Sequence, residues 1–399
     1  MSCNIYAPKS YLSYFKRKIR GQFIKAGLNI DVVENGIIVI DKKDKGFGLF
    51  DNNGNFVKSS LQIRKNRGQY IPKKIQDDVK FINHDVIYFG NVYPAFGHFL
   101  LEHMNRGWGC LKEQFRDAKV VLINNKAVEN VPQYMYEFIK LLGVKKSDVL
   151  IVNETTQFRR VIVPHQGFNI PVFSSYDFAE MCDVMAKNAR GKTYDKVYLS
   201  RAALKERSVM GEDKIQRIFE KNGYTILYPE QMPLSEQIAA MRECESLAGC
   251  AGTALHLALF MPCGGTVIQL KRNSQHRCNA NVQYLINKTK KHKSCFIHVS
   301  LEKMGTRHFT SAPQIIGATS YFKDFLVDSG FKYTDSDLKL PDSVWQKYYS
   351  ELDKYKRENG SVRFNKLKHL IIKIIACGIP GRERRGRFRA KMKARFVTK

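Results

Sequence analysis

Negative charge is what this chain has least of: 37 Asp and Glu stand against 66 Lys and Arg in 399 residues, a formal net charge of +29. A surplus of that size disfavours cationic partners and favours anionic ones, such as nucleotides, acidic polysaccharides, phospholipid surfaces or nucleic acid. No run reaches the ~20 apolar residues of a spanning helix, and the basic start MSCNIYAPKSYLSYFKRKIRGQF lacks a signal-peptide apolar block. The nine cysteines form no CxxC pair and leave an odd count, which argues against a zinc ribbon or disulfide framework and for a reduced, intracellular chain. The expected location is cytoplasmic.

What is present suits a large globular protein. Hydrophobic residues make up 44% and charged residues 26%, proportions that exclude wholesale disorder. Short strands and turns come first, among them GIIVI at 36–40 and DNNGN at 51–55. From Asp85 strand and helix patterns alternate: DVIYFG, a helix over 97–115, KVVLIN, QYMYEFIKLLG, DVLIV and RRVIVPH. A connecting helix over 176–190 follows, and the alternation restarts with KVYLS, GEDKIQRIFEKNG, YTILYP, SEQIAAMREC, SLAGC, TALHLALF, TVIQLK, a helix over 282–290 and CFIHVS. Such alternation predicts parallel sheets covered by helices. Two series predict an α/β protein of two Rossmann-like lobes facing across a cleft: an N-terminal lobe over 1–190, a C-terminal lobe over 191–335, and helices with a basic tail over 336–399.

Two segments carry the chemistry. KVYLSRAALKER, from Lys196 to Arg207, is a β-branched strand that delivers Arg201, Lys205 and Arg207 past its C-terminal end, where open α/β sheets bind ligands. A guanidinium fork suits phosphate oxygens, so Arg201 and Arg207 lead and Lys205 follows. CAGTALHLALFMPCGGTVIQLKR, from Cys250 to Arg272, turns from a small-residue strand end through Gly252 and Thr253 into an apolar helix whose free N–H groups can meet an anion. Thr253 is also a good N-cap, and His256 lies one turn further on. Glu236 and Gln237 open a helix after Tyr228-Pro229, where a carboxylate could accept ribose hydroxyls. The competing account of each is structural: exposed loop arginines, a cap without a ligand, a packed histidine, a helix-start acid.

With LYPEQMPLSEQIAAM (Leu227–Met241) between these parts and GHFLLEHMNRGW (Gly97–Trp108) in the first half, the chain resembles glycosyltransferase family 61 over roughly Asp85 to Arg272. The resemblance implies the GT-B arrangement of the two lobes and an inverting transfer from a nucleotide-diphosphate sugar, with UDP taken from the wider family, to a capsular or other cell-surface polysaccharide or its lipid-linked precursor. No separate cofactor is implied. The family pattern has a His-Gly pair where Cys250, Ala251 and Gly252 stand, so a role carried by that histidine does not transfer.

Sugar transfer needs a base for the incoming hydroxyl. His98 and Glu102, four apart on one helix face, supply either choice, with His103 and Arg106 close behind. The same spacing suits a metal pair, but without a third ligand or an Asp-x-Asp placed against a diphosphate, the expected chemistry is metal-independent. The tail from Ser361 to Lys399 sets many cations against Glu383 alone and aligns Leu367, Leu370, Ile371, Ile374 and Ile375 on one helical stripe, as in a helix lying on the anionic inner face of the cytoplasmic membrane. Two other readings stay open. One is a nucleic-acid-binding protein, against which the few interleaved aromatics Phe364, Phe388 and Phe396 argue; the other is a non-catalytic component of a capsule assembly complex.

Overall fold

The computed structural model describes residues 3–19, 21–43, 46–62, 71–72, 75, 79–124, 131–204, 209–273, 280–302 and 312–358. Two main sheets organise them. The first has seven strands, in the order Gly46–Phe50, Ile37–Asp41, Thr156–Pro164, Lys80–Asn91, Lys119–Ile123, Val149–Val152, with Ile30–Glu34 also paired to Thr156–Pro164. The second has six, in the order Cys3–Tyr6, Lys293–His298, Thr266–Lys271, Ser246–Cys250, Lys196–Leu199, Thr225–Leu227.

The second sheet is parallel throughout, as its βα alternation requires. Lys80–Asn91 of the first sheet is parallel to both its neighbours, Thr156–Pro164 and Lys119–Ile123. Ile30–Glu34, Ile37–Asp41 and Gly46–Phe50 pair antiparallel instead; between the last two, a connection of a few residues cannot make a parallel crossover. The first strand, Cys3–Tyr6, joins the edge of the second sheet through Lys293–His298, and its following helix Lys9–Lys18 is held there by Phe15 against Phe296, ring centroids 4.6 Å apart.

Central strands such as Val86–Phe89 and Val120–Ile123 are buried on both faces, which is why they read as unbroken apolar runs rather than alternating ones. Between the sheets lies one apolar core drawn from both halves of the chain, including Phe89, Trp108, Met181, Met185, Leu247, Leu255 and Leu285. The helix Tyr176–Asn188 packs against both Met104–Leu111 and Thr253–Phe260 and so joins the halves. Phe219, Phe322 and Phe325 cover the far face of the second sheet. The region after Thr306, silent in sequence, supplies the helix Ser320–Asp328 and a helix over 342–358, whose Tyr348 and Leu352 pack with Ile315.

Strand order fixes where a ligand can enter. In the second sheet the chain runs from Lys196–Leu199 outward to Thr225–Leu227, then returns to place Ser246–Cys250 on the other side. In the first, Lys80–Asn91 stands between Lys119–Ile123 and the later Thr156–Pro164. Helices leaving such neighbours depart to opposite sides and open a crevice at the strands' C-terminal ends.

Candidate active site

Arg201 and Gly252 leave the two strands that flank the crevice of the second sheet. The turn after Leu199 is built by Ser200, whose N–H reaches Leu227 O at 2.9 Å and whose hydroxyl donates to Gln216 Oε1 at 2.7 Å. Across from it, Ala251 N–H donates to Leu270 O at 2.8 Å, and the chain passes through an extended Gly252 (φ 172°, ψ 177°) into a 3-10 helix, Thr253–Phe260. That conformation is open to any residue, so the glycine matters for space. A Cβ on Gly252 would stand 3.3 Å from Arg201 Nη1, and without one the guanidinium lies against the helix start. Gly252 itself takes the cap position. Thr253 is the first helical residue, exposed, and no side chain caps the end, so the opening N–H groups keep no acceptor within the helix.

His256 is 6% exposed, with Nδ1 3.2 Å from Gln283 Oε1. Burial pushes its pKa down to about 4, so the ring is neutral near pH 7. It can offer a hydrogen bond but no charge.

In the first sheet the chain leaves Lys80–Asn91 and enters Phe96–His98, which continues as a π turn over Phe99–His103 and a 3-10 stretch over Met104–Leu111. Widened turns of this kind concentrate at functional sites. Here the turn places His98 Nδ1 3.1 Å from Glu102 Oε2, with the histidine side chain 41% exposed and the carboxylate 9%. Tyr93 meets the His98 ring edge-on, centroids 5.2 Å apart. Arg106, by contrast, is buried and donates to Pro164 O, Ser59 O and Leu61 O. Its guanidinium pins the helix to the first sheet, and burial lowers its pKa to about 10, still charged at neutral pH.

The two turns of the site meet where Gly97 approaches Thr253. A Cβ on Gly97 would stand 2.5 Å from Thr253 Cγ2 and 3.5 Å from His256 Cδ2. His98, Glu102, Arg201, Gly252, Thr253 and His256 are thus gathered around one junction. Glu236 and Gln237 lie on the helix Leu234–Ala239; Glu236 is exposed, and Gln237 Nε2 donates to Pro229 O and Met232 O at 2.8 and 2.9 Å, tying its own loop. Lys205, Arg207 and the tail from Ser361 to Lys399 lie outside the described residues.

One Asp-x-Asp does occur, Asp335-Ser336-Asp337, and it is a helix start rather than a metal motif. Asp337 closes a capping box with Thr334 and takes Lys221 Nζ at 2.6 Å. Among the described residues no three His, Cys, Asp or Glu side chains are gathered as a metal site, and no helix is long and apolar enough to cross a membrane.

The structure adds residues that the sequence did not single out. Glu212, fully buried at the start of Glu212–Lys221, accepts from the Tyr198 hydroxyl and from Arg201 N–H, each at 3.2 Å. Burial raises its pKa while the Arg201 N–H bond and charge oppose the rise. Arg272, just past the Thr266–Lys271 strand, adds its field to that of Arg201 at the Cys250 thiol. In sequence, Glu212 looks like an ordinary helix-start acid, and Arg272 one cation among many.

Residues 96–269 match the family described as Glycosyltransferase 61. The protein is a glycosyltransferase. Among solved structures, the chain is similar to the bacterial iron-containing dodecameric glycosyltransferase TibC from enterotoxigenic E. coli, at 10% identity over 64% of this chain and 81% of that one, with a TM-score of 0.21. No curated protein matches.

The match begins at the helix that carries Gly97, His98 and Glu102 and ends within the strand Thr266–Lys271. Its span includes Arg201, Glu212, Gly252, Thr253 and His256, while Arg272 and Gln283 fall just beyond it.

Proposed function

We propose that this glycosyltransferase transfers a sugar with inversion, and without a divalent metal, from a nucleotide-diphosphate sugar to a cell-surface polysaccharide or its lipid-linked precursor. The observation that carries the reading is the contact of Gly97 with Thr253, which sets the His98–Glu102 pair beside the Arg201–Gly252 turn. In one displacement, the acceptor oxygen bonds to the anomeric carbon as the bond to the diphosphate oxygen breaks, and the hydroxyl proton passes to the His98–Glu102 pair. Charge grows on the leaving diphosphate, where Arg201 and the N–H groups opening Thr253–Phe260 stabilise it. Neutral His256 braces that helix start without adding charge.

Calorimetry and thermal shift against UDP, GDP, CMP and dTDP, with and without EDTA, test the donor side. A nucleotide at ~100 times its Kd should stabilise the fold by ~2.7 kcal/mol, and UDP is the expected hit. Loss of binding on chelation would count against the metal-independent step. Retention of the donor's anomeric configuration in the product, read by NMR, would count against inversion.

The acceptor is proposed to be met at the inner face of the cytoplasmic membrane, on the charge and apolar stripe of the tail. Truncation after Gly360 should then abolish sedimentation with anionic vesicles and leave nucleotide binding intact. Cosedimentation by the truncated chain would overturn the tail assignment.

A further inference from the structure

A cavity of about 600 Å³ opens elsewhere on the molecule, lined by Gln22, Phe23, Lys25, Lys288 and Lys291. None of these belongs to the site described above. Its volume falls within the ~300 to 1,000 Å³ of small-ligand sites.

The walls are tied together. The strand Gln22–Ile24 runs parallel to Phe173–Ser175, with Gln22 N–H donating to Val172 O at 2.9 Å. The helix Ala280–Thr289 is fastened to both: the Thr289 hydroxyl donates to Ser174 Oγ at 2.7 Å, and Lys288 Nζ to Gly21 O at 2.8 Å. Past the end of that helix, Lys291 stands at φ 56°. This left-handed conformation is normally left to glycine after a helix, and a lysine holds it at a cost.

Among the described residues, three lysines and no carboxylate line this cavity. Among the described residues, neither Lys25 nor Lys291 is held by an acidic side chain. Like charges gathered in a concave site raise the local concentration of anions. Lysines act as point charges, without the planar selectivity of arginine, and suit carboxylates and phosphates alike. The half-buried ring of Phe23 adds an apolar wall, which fits the C–H face of a sugar.

The same helix reaches the candidate active site. Gln283, which holds His256, precedes Lys288 by five positions, about 7.5 Å along the axis. We propose that this cavity binds an acidic saccharide, a uronate- or phosphate-bearing stretch of the acceptor glycan. The choice of a glycan rests on the glycosyltransferase reading; the anion site rests on the cavity itself.

Calorimetry at low salt on the full chain tests it, with trigalacturonate as the acidic probe and maltotriose as its neutral counterpart. Trigalacturonate should bind at least ten-fold more tightly than maltotriose and weaken as salt rises. Lys25→Gln with Lys291→Gln, both at exposed positions, should lower that affinity ten-fold or more with unchanged melting, and Phe23→Ala should lower it while keeping the salt dependence. UDP affinity, measured on the same proteins, should not move, so a failure here is distinct from a failure of the donor site. Equal binding of the neutral sugar, or an unaffected lysine double variant, would overturn the proposal. Inorganic phosphate binding as tightly as trigalacturonate, or displacement of the trisaccharide by phosphatidylglycerol vesicles, would overturn the glycan assignment in favour of a simple anion or a lipid surface.

Discussion

The two strand-to-helix turns of the site treat polar groups in opposite ways. After Lys80–Asn91 the helix sinks a carboxylate, Glu102, beneath a half-exposed histidine. After Ser246–Cys250 the helix opens to solvent at Thr253 and buries a neutral histidine one turn on. One turn can accept a proton; the other presents N–H groups and a guanidinium to negative charge. The proposed inverting transfer from a nucleotide-diphosphate sugar needs both, on opposite sides of the reacting carbon.

The largest expected effect comes from removing the proposed proton acceptor. If Glu102 is the base or fixes His98 as the base, Glu102→Gln should lower kcat by ~10² to 10⁴-fold with donor affinity intact, because proton transfer matters mainly in the transition state. Steady-state kinetics beside UDP titration separate the two quantities. Full turnover would move the role away from this helix and erase the contrast between the turns.

The buried histidines give the next effect, and it falls on stability. His256 and His292 are both held at about 4 by burial, against ~6.5 in the unfolded chain. Between pH 6.5 and 4 the unfolded state takes up protons that the folded state refuses. Stability is therefore highest above this window, falls as pH drops through it, and levels off once both states are protonated. Each ring contributes at most about 3 kcal/mol. Urea unfolding at pH 7 and pH 4.5 should show the loss, and His256→Gln should remove its share. An unchanged slope in that variant would mean His256 is not the neutral brace of the second turn.

On the cationic side, Arg201→Ala should weaken nucleoside-diphosphate binding by ~1.5 to 3 kcal/mol, the range of a charge-assisted hydrogen bond, with folding nearly unchanged. Glu212→Gln keeps a side-chain oxygen for the Arg201 N–H, so it should cost less. Calorimetry with UDP ranks the two. A larger loss for Glu212→Gln would shift the weight from the guanidinium to the buried carboxyl.

Much of this was legible in the chain because it is local. Val86–Phe89 and Val197–Leu199 announce buried parallel strands by composition, and Arg201 and Gly252 announce strand ends by position. What the sequence hides is non-local or conformational. The return of Ser246–Cys250 to the inner side of Lys196–Leu199, which creates the crevice, is a matter of strand order. Glu212 gains meaning only from Tyr198 and Arg201 around it. Thr253 has the chemistry of a cap, yet the extended chain gives that place to Gly252. Asp335 and Asp337 show the same in reverse, an acid pair with the spacing of a metal motif whose surroundings make it a helix start.

The contact that unites the two turns can be tested with the smallest change. Gly97 and Thr253 come from different sheets, and a methyl group on Gly97 would meet Thr253 Cγ2 at 2.5 Å and Thr253 Cβ at 3.2 Å. Gly97→Ala should therefore cost about 1 to 3 kcal/mol, as overpacking does. It should also lower activity, because His98 and Gly252 are the immediate chain neighbours of the clashing pair. Thr253→Ser removes Cγ2 and leaves the hydroxyl, so alone it should change little. Combined, the two substitutions should recover most of the stability lost by Gly97→Ala, with a coupling energy well above the ~0.5 kcal/mol scatter of independent sites. Melting curves for the four proteins of the cycle give that coupling. Simple additivity would mean that the two helices do not touch at Thr253, and the proposed proton acceptor and proposed diphosphate turn would then have to act at separate places.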